Sequence, residues 1–337
     1  MSEMASVLIL SNTTEGIPLC ERLVKNGHIC KLFSSQKITL PYQVHDPLRL
    51  LEQFDLIIST STKMGDIAEE CKDKGHLVIG GGVFNTRLET DMNYAQSVVA
   101  TLYKDLSILQ NAEESIEVEV TGWFSNSKFS YYNYSVRGTR LHEFNKGPLA
   151  NEVGYVVMSS LENKLTKRVF DPIVGLLTKV TYHGPLTINT IVNKEDLIID
   201  KFYTSLGRSF YGYTELIKGS VFDFLWKFDK DGSLLTRGGT AVAVGLSLPP
   251  YPYEDISEEI IDIKVPDEAV NHTFLCNIGN SQLGWVTARG VDILEARRRV
   301  YRTIDNLKLE DVVQYRQDIP SEVKEFSLLK QWGWLDA

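Results

Sequence analysis

The chain has 337 residues, which is enough for two or three domains that each bury a core. A hydrophobic content of 43% with 23% charged residues is ordinary for a globular protein. The formal net charge of −9 argues against a nucleic-acid backbone as the main partner, because phosphates are repelled by an acidic surface.

Residues 6–79 alternate apolar runs with amphipathic segments, which predicts a small parallel α/β domain over residues 1–86. The predicted strands are residues 6–10, 29–33, 55–59 and 77–79, and the predicted helices are residues 15–26 and 67–73. Such domains often bind ligands at the carboxyl ends of their strands. The candidate ligand-binding residues at this edge are Ser11, Thr13, Thr14 and Gly81. The hydroxyl groups of Ser11, Thr13 and Thr14 are also good helix caps, and the sequence leaves both roles open.

The next segment predicts a central mixed domain over residues 87–235. Its predicted elements are a helix over residues 89–109, alternating strands over residues 117–136, a helix over residues 168–181 and a buried strand over residues 197–200. Ser125-Asn126 predicts a tight hairpin turn between the alternating strands. Helices mixed with hairpin-connected strands are typical of an α+β arrangement.

Residues 236–320 predict a C-terminal strand–helix–strand domain. Asp292 is a good N-cap for the helix, and Glu295 occupies the position of a capping-box carboxylate. The apolar residues that share one face of this helix are Ile293, Ala296, Val300, Ile304 and Leu307. A strand is predicted before the helix at residues 285–287, and a returning strand after it at residues 309–314.

Two motifs in this domain resemble those of a known family. Residues 290–297 read Gly-Val-Asp-Ile-Leu-Glu-Ala-Arg, and residues 315–319 read Tyr-Arg-Gln-Asp-Ile. They resemble the Gly-Asp-(Thr/Ser)-Leu-x-Glu-Ala-Arg and Tyr-Arg-Arg-Asp-Ile motifs of glycinamide ribonucleotide synthetase (phosphoribosylamine–glycine ligase), an ATP-grasp enzyme of purine synthesis. Further matches at residues 182–186 and 240–252 extend the resemblance from about residue 6 to about residue 320. The resemblance implies an ATP-grasp fold with α/β and α+β parts.

The resemblance also implies where the chain departs from the family. ATP-grasp ligases insert a lid subdomain, whose Gly-rich loop covers the ATP phosphates, before the strand that begins here near residue 113. No Gly-rich, Lys-bearing loop lies at that point, so we expect a lid-less ATP-grasp fold. Met92 occupies the position of a family Lys of the nucleotide site, and Glu15 that of an Arg that holds the ribosyl phosphate.

The remaining candidate site residues come from the same resemblance. Gly147 and Pro148 match the start of the family's Gly-Pro-Asn-Thr-Gly-Gly-Met-Gly segment, which makes them candidate ligand-binding residues. Asp200 keeps one carboxylate of the family's magnesium-binding Glu-Phe-Asn, whereas Phe202 replaces the Asn. Asp200 is therefore a candidate magnesium ligand, or else a salt-bridge or capping residue. Arg208 is a further candidate for ligand binding.

These departures favour a protein that has lost ATP-dependent ligase activity and binds a small ligand or a protein partner. The alternative is an active ATP-dependent carboxylate–amine ligase with an altered substrate, using Asp200, His142 or Arg208 in new roles. Only this alternative requires ATP and Mg²⁺ as cofactors. A third hypothesis is a scaffold or inhibitor of another enzyme. His142-Glu143 and His183 could form an acid–base pair, but the sequence does not place them together.

The segment over residues 321–337 is an apolar tail that either folds back onto the core or docks a partner through Trp332 and Trp334. The four cysteines form no CxxC pair, so we expect free buried thiols, a reducing compartment and a cytoplasmic location. The start of the sequence lacks the basic region of a signal peptide, and no apolar run approaches the ~18 residues of a membrane span. The sequence is compatible with a homo-oligomer as well as with a monomer.

Overall fold

The computed structural model describes residues 4–11, 16–34, 41–104, 115–207, 209–234, 236–254, 261–276, 281–319 and 323–335. Over these ranges the chain forms two β-sheets with helices packed around them. No helix within them is long and apolar enough to cross a membrane. All four cysteines are buried thiols that form no disulfide, as the sequence predicted.

The first sheet is parallel and lies in the N-terminal segment, as predicted. Its elements are β1 (Ser6–Ser11), α1 (Gly16–Lys25), β2 (Ile29–Ser34), β3 (Gln43–Val44), β4 (Leu56–Ser59), α2 (Gly65–Asp73), β5 (Val78–Ile79) and α3 (Val83–Thr90). The strand order is β3-β2-β1-β4-β5. The four central residues of β1 are apolar because both faces of the strand are covered: Val7 and Ile9 share a core with α1, whereas Leu8 and Leu10 share one with α2.

The second sheet is antiparallel and has eight strands. They are β6 (Ile116–Ser125), β7 (Lys128–His142), β8 (Lys146–Ser160), β9 (Gly184–Val192), β10 (Leu197–Tyr203), β11 (Thr240–Ser247), β12 (Thr273–Leu275) and β13 (Gln282–Gly290). Their order is β10-β9-β6-β7-β8-β11-β13-β12. The ladder between β8 and β11 therefore joins strands from the predicted central and C-terminal segments into one sheet. Asn126 and Ser127, both with positive φ, form the tight turn predicted between β6 and β7.

The two faces of this sheet have different environments because side chains alternate along each strand. One face carries Val118, Val120, Val242 and Val244 and packs against helices. These helices are α4 (Met92–Leu102), α5 (Lys164–Phe170), α6 (Val174–Lys179), α9 (Ile293–Asn306) and α10 (Val323–Gln331). On the opposite face, α7 (Ser209–Thr214) and α8 (Val221–Asp231) pack around Trp123. This face continues beyond Trp123 into a polar surface.

Arg22 joins the N-terminal segment to the antiparallel sheet. It lies on α1 and donates hydrogen bonds to the carbonyl oxygens of Asn271, Val270 and Thr273, at 3.0, 2.6 and 3.1 Å. Its guanidinium also lies 4.4 Å from the centre of the Phe274 ring. Burial lowers the pKa of Arg22 to about 10, so the side chain stays charged at neutral pH. The two sheets are thus connected by a buried cation.

Two predicted helices are interrupted. The helix predicted over residues 89–109 breaks at Asp91, whose side chain caps α4 by accepting from the Tyr94 N–H at 3.0 Å. Its predicted part beyond residue 104 lies outside the described residues. The helix predicted over residues 168–181 begins earlier, at Lys164, and is divided by a 3₁₀ turn at Asp171–Ile173. Pro172 lies in that turn, and a proline disfavours a continuous helix.

The C-terminal helix is confirmed, but the strand predicted after it is wrong. Asp292 caps α9 by accepting from the Glu295 N–H at 2.7 Å. The Glu295 carboxylate accepts from the Val291 N–H at 2.8 Å instead of from the N-cap residue. In the predicted strand over residues 309–314, Val313 N–H donates to the Glu310 carbonyl in a turn. This turn limits pairing to a single bridge between Gln314 and Ser247.

The closing Tyr-Arg-Gln-Asp-Ile motif holds a buried ion pair. The Arg316 side chain donates to both carboxylate oxygens of Asp318, at 2.7 and 2.8 Å, and to Asn145 Oδ1 at 2.9 Å. Asp318 in turn accepts from the Phe144 N–H at 2.8 Å. Because Phe144 and Asn145 form the turn between β7 and β8, the motif attaches that turn to the end of the C-terminal segment.

The apolar tail folds back onto the core. Trp334 is 2% exposed, its Nε1 donates to the Asn193 carbonyl at 2.7 Å, and its own carbonyl accepts from the Leu165 N–H at 3.3 Å. Trp332 is partly buried against the same core. The predicted partner-binding role therefore fails for Trp334, because its ring is already covered by residues of the same chain.

We expect Trp334→Ala to lower the free energy of unfolding by about 3–5 kcal/mol, because it deletes a buried aromatic ring and leaves a cavity. Urea denaturation measures the change. Phe144→Ala is the matched control, since that ring is 74% exposed and its loss should change stability by about 0.5 kcal/mol or less. A Trp334→Ala variant as stable as the unmodified protein would contradict the folded-back tail.

Candidate functional site

The polar surface of the antiparallel sheet is organised in rows across neighbouring strands. Glu119 on β6 is in register with Ser135 on β7 and with Asn189 on β9. One step along the sheet, Thr121 on β6 is in register with Asn133 and Thr187. Because residues two apart on a strand share a face, the two rows lie side by side, about 7 Å apart.

Arg137 is the charged centre beside the first row, because it lies two residues beyond Ser135 on the same face of β7. Its Nε lies 3.2 Å from Glu119 Oε1, and its terminal nitrogen donates to Glu117 Oε1 at 3.0 Å. Ser135 Oγ donates to the other oxygen of Glu119 at 2.9 Å. Burial raises the pKa of Glu119, although Arg137 and Ser135 oppose that shift. Burial alone would lower the pKa of Arg137, but the carboxylates of Glu119, Glu152 and Glu117 together raise it.

Asn189 links this centre to Asp200. Its Nδ2 donates to Glu117 Oε1 at 2.8 Å and to Asp200 Oδ2 at 3.0 Å. Asp200 is the extra residue of a β-bulge in β10, between Ile199 and Lys201. A β-bulge changes the direction in which the neighbouring side chains point. At this bulge both Asp200 and Lys201 are exposed. We use the term carboxylate network for Glu117, Glu119, Glu152, Asp200, Arg137 and Asn189.

The structure corrects two expectations for this strand. Phe202 is 3% exposed and belongs to the core on the opposite face, so its identity does not affect the environment of Asp200. The residue of β10 that lies beside Arg137 is Tyr203, whose ring centre is 5.8 Å from the guanidinium carbon. Asp200 was expected to bind magnesium, or else to form a salt bridge or a cap, whereas the partner found for Asp200 is the Asn189 amide.

The predicted magnesium ligand does not fit a metal site. Mg²⁺ requires several oxygen ligands in near-octahedral geometry. Within the described parts of the chain, no group of three or more His, Cys, Asp or Glu side chains could hold a metal ion. Glu117 and Asp200 are instead bridged by an N–H donor, which occupies the space between their oxygens. These residues do not fit a bound magnesium ion.

A small pocket of about 20 Å³ adjoins the carboxylate network, and we call it the sheet-end pocket. The second row, Asn133, Thr121 and Thr187, lies on its floor together with Trp123. The walls include Pro185, Ser205, Leu206, Phe210 and Tyr213. Four aromatic rings surround Trp123, with ring centres 4.9–6.2 Å away: Phe210, Tyr213, Phe224 and Phe228.

The carboxyl edge of the parallel sheet lies beside this pocket. Gly80 N–H donates to the His183 carbonyl at 3.0 Å, and a side chain at Gly80 would approach the Thr204 and Ser205 backbone. Gly81 has φ +79°, and a Cβ there would fall 2.6 Å from the Ser59 Cβ, so only glycine fits. Its carbonyl accepts from Lys72 Nζ at 2.8 Å. Gly81 therefore shapes the edge through its backbone.

Other predicted residues of this edge have a structural role or are not described. Ser11 is fully buried, and its hydroxyl accepts from the Gly16 N–H at 3.3 Å, at the start of α1. This contact corresponds to the helix-capping alternative. Thr13, Thr14 and Arg208 lie outside the described residues. Met92 begins α4 and is 73% exposed.

Gly147 and Pro148 lie in a different place from Asp200 and Gly81. Gly147 has φ +80° next to the turn between β7 and β8, where its carbonyl accepts from Arg140 at 2.9 Å. Pro148 and His142 line an open groove of about 540 Å³ that shares no lining residue with the sheet-end pocket. Gly147 and Pro148 therefore lie apart from Asp200 and Gly81, because the turn is at the far end of long strands.

The proposed histidine pair is also separated. His142 ends β7, whereas His183 is buried at the start of β9. His183 Nδ1 lies 3.1 Å from Ser125 Oγ, and its Nε2 lies 3.5 Å from Asp229 Oδ1. Asp229 is also paired with Lys230 at 3.0 Å. This buried cluster joins α8 to the antiparallel sheet.

Similarity to known proteins is found only among solved structures, since no protein-family model and no curated protein sequence matches the chain. Phosphoribosylamine–glycine ligase from Thermotoga maritima matches with a TM-score of 0.67 and 16% identity, over 93% of this chain and 99% of that one. Urea carboxylase from Kluyveromyces lactis matches with a TM-score of 0.60 and 9% identity, over 96% of this chain and 32% of that one. Pyruvate carboxylase from Rhizobium etli matches with a TM-score of 0.54 and 12% identity, over 93% and 33% of the two chains.

The chain has an ATP-grasp fold. The resemblance deduced from the C-terminal motifs is thus confirmed for the fold. With identities of 9–16%, these structures carry no information about activity.

Sequence reasoning missed most of the carboxylate network. The missed residues are Glu117, Glu119, Arg137, Glu152 and Asn189. One signal was available: Glu117 and Glu119 alternate with Val118 and Val120, which places two carboxylates on the face opposite an apolar core. The other members come from distant strands, and only the strand order brings them together.

We expect Arg137→Met to lower the free energy of unfolding by about 3–5 kcal/mol near pH 8, because it leaves the buried Glu119 without its cation. The pKa of Glu119 is already raised by burial, and this change raises it further. A carboxyl whose folded pKa is raised favours the folded state only when protonated. The loss of unfolding free energy should therefore become smaller as the pH falls through the folded-state pKa of Glu119 toward the ordinary value of 4.5.

Urea denaturation at about pH 5 to 8.5 measures this pH dependence. In the control Glu119→Gln/Arg137→Met the Glu119 carboxylate is absent, whereas the buried carboxylate of Glu152 remains in both variants. Part of the stability should therefore recover, and the part of the pH dependence that Glu119 causes should disappear. A loss in Arg137→Met that does not change with pH would contradict the proposed coupling.

Proposed function

We propose that this protein binds a small, amine-bearing ligand over the polar face of its antiparallel sheet and that it has lost the ATP-dependent ligation of its structural relatives. The observation that carries the proposal is the charge of the carboxylate network. The carboxylates of Glu117, Glu119 and Glu152 face the Arg137 guanidinium, and Asp200 is joined to Glu117 through Asn189. Even with the exposed Lys201 included, the negative groups of the network outnumber the positive ones by four to two.

An anionic surface selects cations. A triphosphate placed over Glu117, Glu119 and Asp200 would be repelled, whereas an ammonium group could donate hydrogen bonds to their oxygens. Glu117 and Asp200 are both exposed, so their remaining lone pairs are accessible. Asn189 holds the two carboxylates in a fixed relation, which reduces the entropy lost when a ligand binds.

Two further observations support the loss of ligation. Residues 103–115 alone separate α4 from β6, at the point where the ligase family inserts its lid, and this is short for a folded subdomain. In addition, Glu117, Asn189 and Asp200 do not fit a magnesium ion. Without a lid and a metal, water exclusion and phosphate neutralisation are both lost.

The second candidate function is an active ATP-dependent carboxylate–amine ligase with an altered substrate. It is favoured by the fold and by the same acidic surface, since such an enzyme must also bind an amine. In that case the Mg²⁺ that accompanies ATP would supply the positive charge that the carboxylate network lacks. The two candidates therefore differ in ATP binding rather than in amine binding.

We expect amines such as glycinamide and ethanolamine to raise the melting temperature in a concentration-dependent way, and Mg·ATP to leave it unchanged. A ligand at about 100 times its Kd stabilises by about 2.7 kcal/mol, which a thermal-shift assay detects. Asp200→Asn should weaken amine binding about tenfold, the equivalent of ~1.4 kcal/mol. Glu195→Gln is the matched control, because it makes the same kind of change on an exposed turn residue.

ADP formation that requires Mg·ATP and an amine would establish the ligase instead. The absence of stabilisation by any amine in the panel, in a protein that unfolds cooperatively, would overturn the binding function.

A further inference from the structure

The polar face of the antiparallel sheet contains an apolar row beside the carboxylate network. Glu117 on β6 is in register with Ile191 on β9, and Ile191 is in register with Ile198 on β10. Residues directly opposite each other on antiparallel strands have Cβ atoms about 4.5–5.5 Å apart. The two isoleucines are therefore neighbours, and Ile191 is also a neighbour of Glu117.

Both isoleucines face away from the helix-covered core. Val192, Leu197 and Ile199, which are adjacent to them along the strands, belong to that core, so side-chain alternation places Ile191 and Ile198 on the opposite face. Both are partly exposed, and neither belongs to a core formed by the described residues. Ile191 is also the one residue of β9 that is not buried. Accessible apolar side chains beside two carboxylates suit a ligand that is part cation and part hydrocarbon.

The amide of Asn189 is oriented for the two exposed carboxylates at a cost to itself. Its Nδ2 donates to Glu117 and to Asp200, whereas its buried Oδ1 has no hydrogen-bond partner in the part of the chain that the structure describes. An unpaired buried acceptor is unfavourable for folding. The fold tolerates it at the point where two carboxylates are held within 3.0 Å of one nitrogen. This arrangement indicates that the pair of carboxylates serves binding more than stability.

The apolar row suits hydrocarbon better than a second charge. Asp196 lies two residues before Ile198, but its carboxylate is 3.6 Å from the Arg168 guanidinium and is thereby neutralised. A second ammonium group placed on the isoleucines would lose hydration without gaining an unpaired carboxylate. Methylene groups on the same surface would instead remove apolar area from water.

We propose that the ligand is a primary amine on an unbranched aliphatic chain, with its ammonium group between Glu117 and Asp200 and its methylene groups on Ile191 and Ile198. This inference rests on the proposed function and specifies its ligand class. Neighbouring strands are about 4.8 Å apart, so a chain that crosses from one isoleucine to the other has about four carbons. Free alkylamines and the lysine side chain of a polypeptide share this chemistry.

Titration calorimetry with ethylamine, n-propylamine and n-butylamine tests the assignment at neutral pH and constant ionic strength. We expect the affinity to rise about two- to fourfold with each added methylene, because a fully buried CH₂ contributes ~0.8 kcal/mol. 1,4-Diaminobutane has the same chain as n-butylamine and a second charge, and it should bind more weakly by about threefold or more. A surface that recognises charge alone gives the opposite order.

Variants separate the apolar row from the carboxylates. Ile191→Thr keeps a β-branched side chain but removes apolar surface, so it should reduce the gain per methylene and leave ethylamine binding unchanged. Ile198→Thr is a second variant in case Ile191→Thr does not fold. Ile29→Thr is the matched control, because it makes the same change at a 45% exposed strand residue of the other sheet. Asp200→Asn should weaken every amine about tenfold and keep the dependence on chain length.

A further probe, Nα-acetyl-lysine amide, distinguishes the two sources of the ligand. If the site accepts the lysine side chain of a polypeptide, this probe should bind as tightly as n-butylamine. If the site accepts only free amines, the added backbone should weaken binding about tenfold or more.

Alkylamines that bind with the same affinity at every chain length, or 1,4-diaminobutane that binds more tightly than n-butylamine, would overturn the aliphatic ligand class. Amine binding that still depends on Asp200 in this case leaves the proposed function intact. Amine binding that does not change in Asp200→Asn, or that is absent for every amine, would overturn the proposed function itself.

Discussion

The alternation of side chains along β6 is the constraint on which the rest of the antiparallel sheet depends. Val118 and Val120 must face the helices, so Glu117, Glu119 and Thr121 must face the other way. A buried carboxylate on that face is tolerated only with a partner, and Arg137 supplies it from the neighbouring strand. The stability of the sheet and the charge of the site therefore depend on the same residues. Arg137 offsets the cost of burying Glu119, and both residues contribute to the charge of the polar face.

The charge of the polar face is a feature of this chain that the shared fold does not determine. The fold is shared over 93% of the chain with a phosphoribosylamine–glycine ligase at 16% identity, and the surface over the central strands of this chain is rich in carboxylates. Electrostatic complementarity mainly determines which ligand is selected. Asn189 holds two of these carboxylates together, because its amide donates a hydrogen bond to each.

The sequence was informative where periodicity or turn chemistry acts locally. The parallel strands and the cap at Asp292 were predicted, and the turn between β6 and β7 was predicted one residue before its observed position at Asn126-Ser127, because neighbouring residues determine these features. The strand predicted over residues 309–314 was wrong. These residues contain a turn, and their pairing with the sheet is limited to one bridge between Gln314 and Ser247. Few of the site contacts could be predicted. Glu117 is 72 positions before Asn189, and only the order of the strands brings it beside Asn189 and Asp200.

Arg22 has a consequence for how this architecture can evolve. Its charge is satisfied by carbonyl groups about 250 positions later in the chain, so α1 is adapted to one particular neighbour. A parallel sheet of this kind, recombined with a different second half, would place an unpaired cation against an apolar interface. Exchange of the N-terminal segment between proteins would therefore require a compensating change at position 22. The two sheets are expected to be inherited together, as a single evolutionary unit.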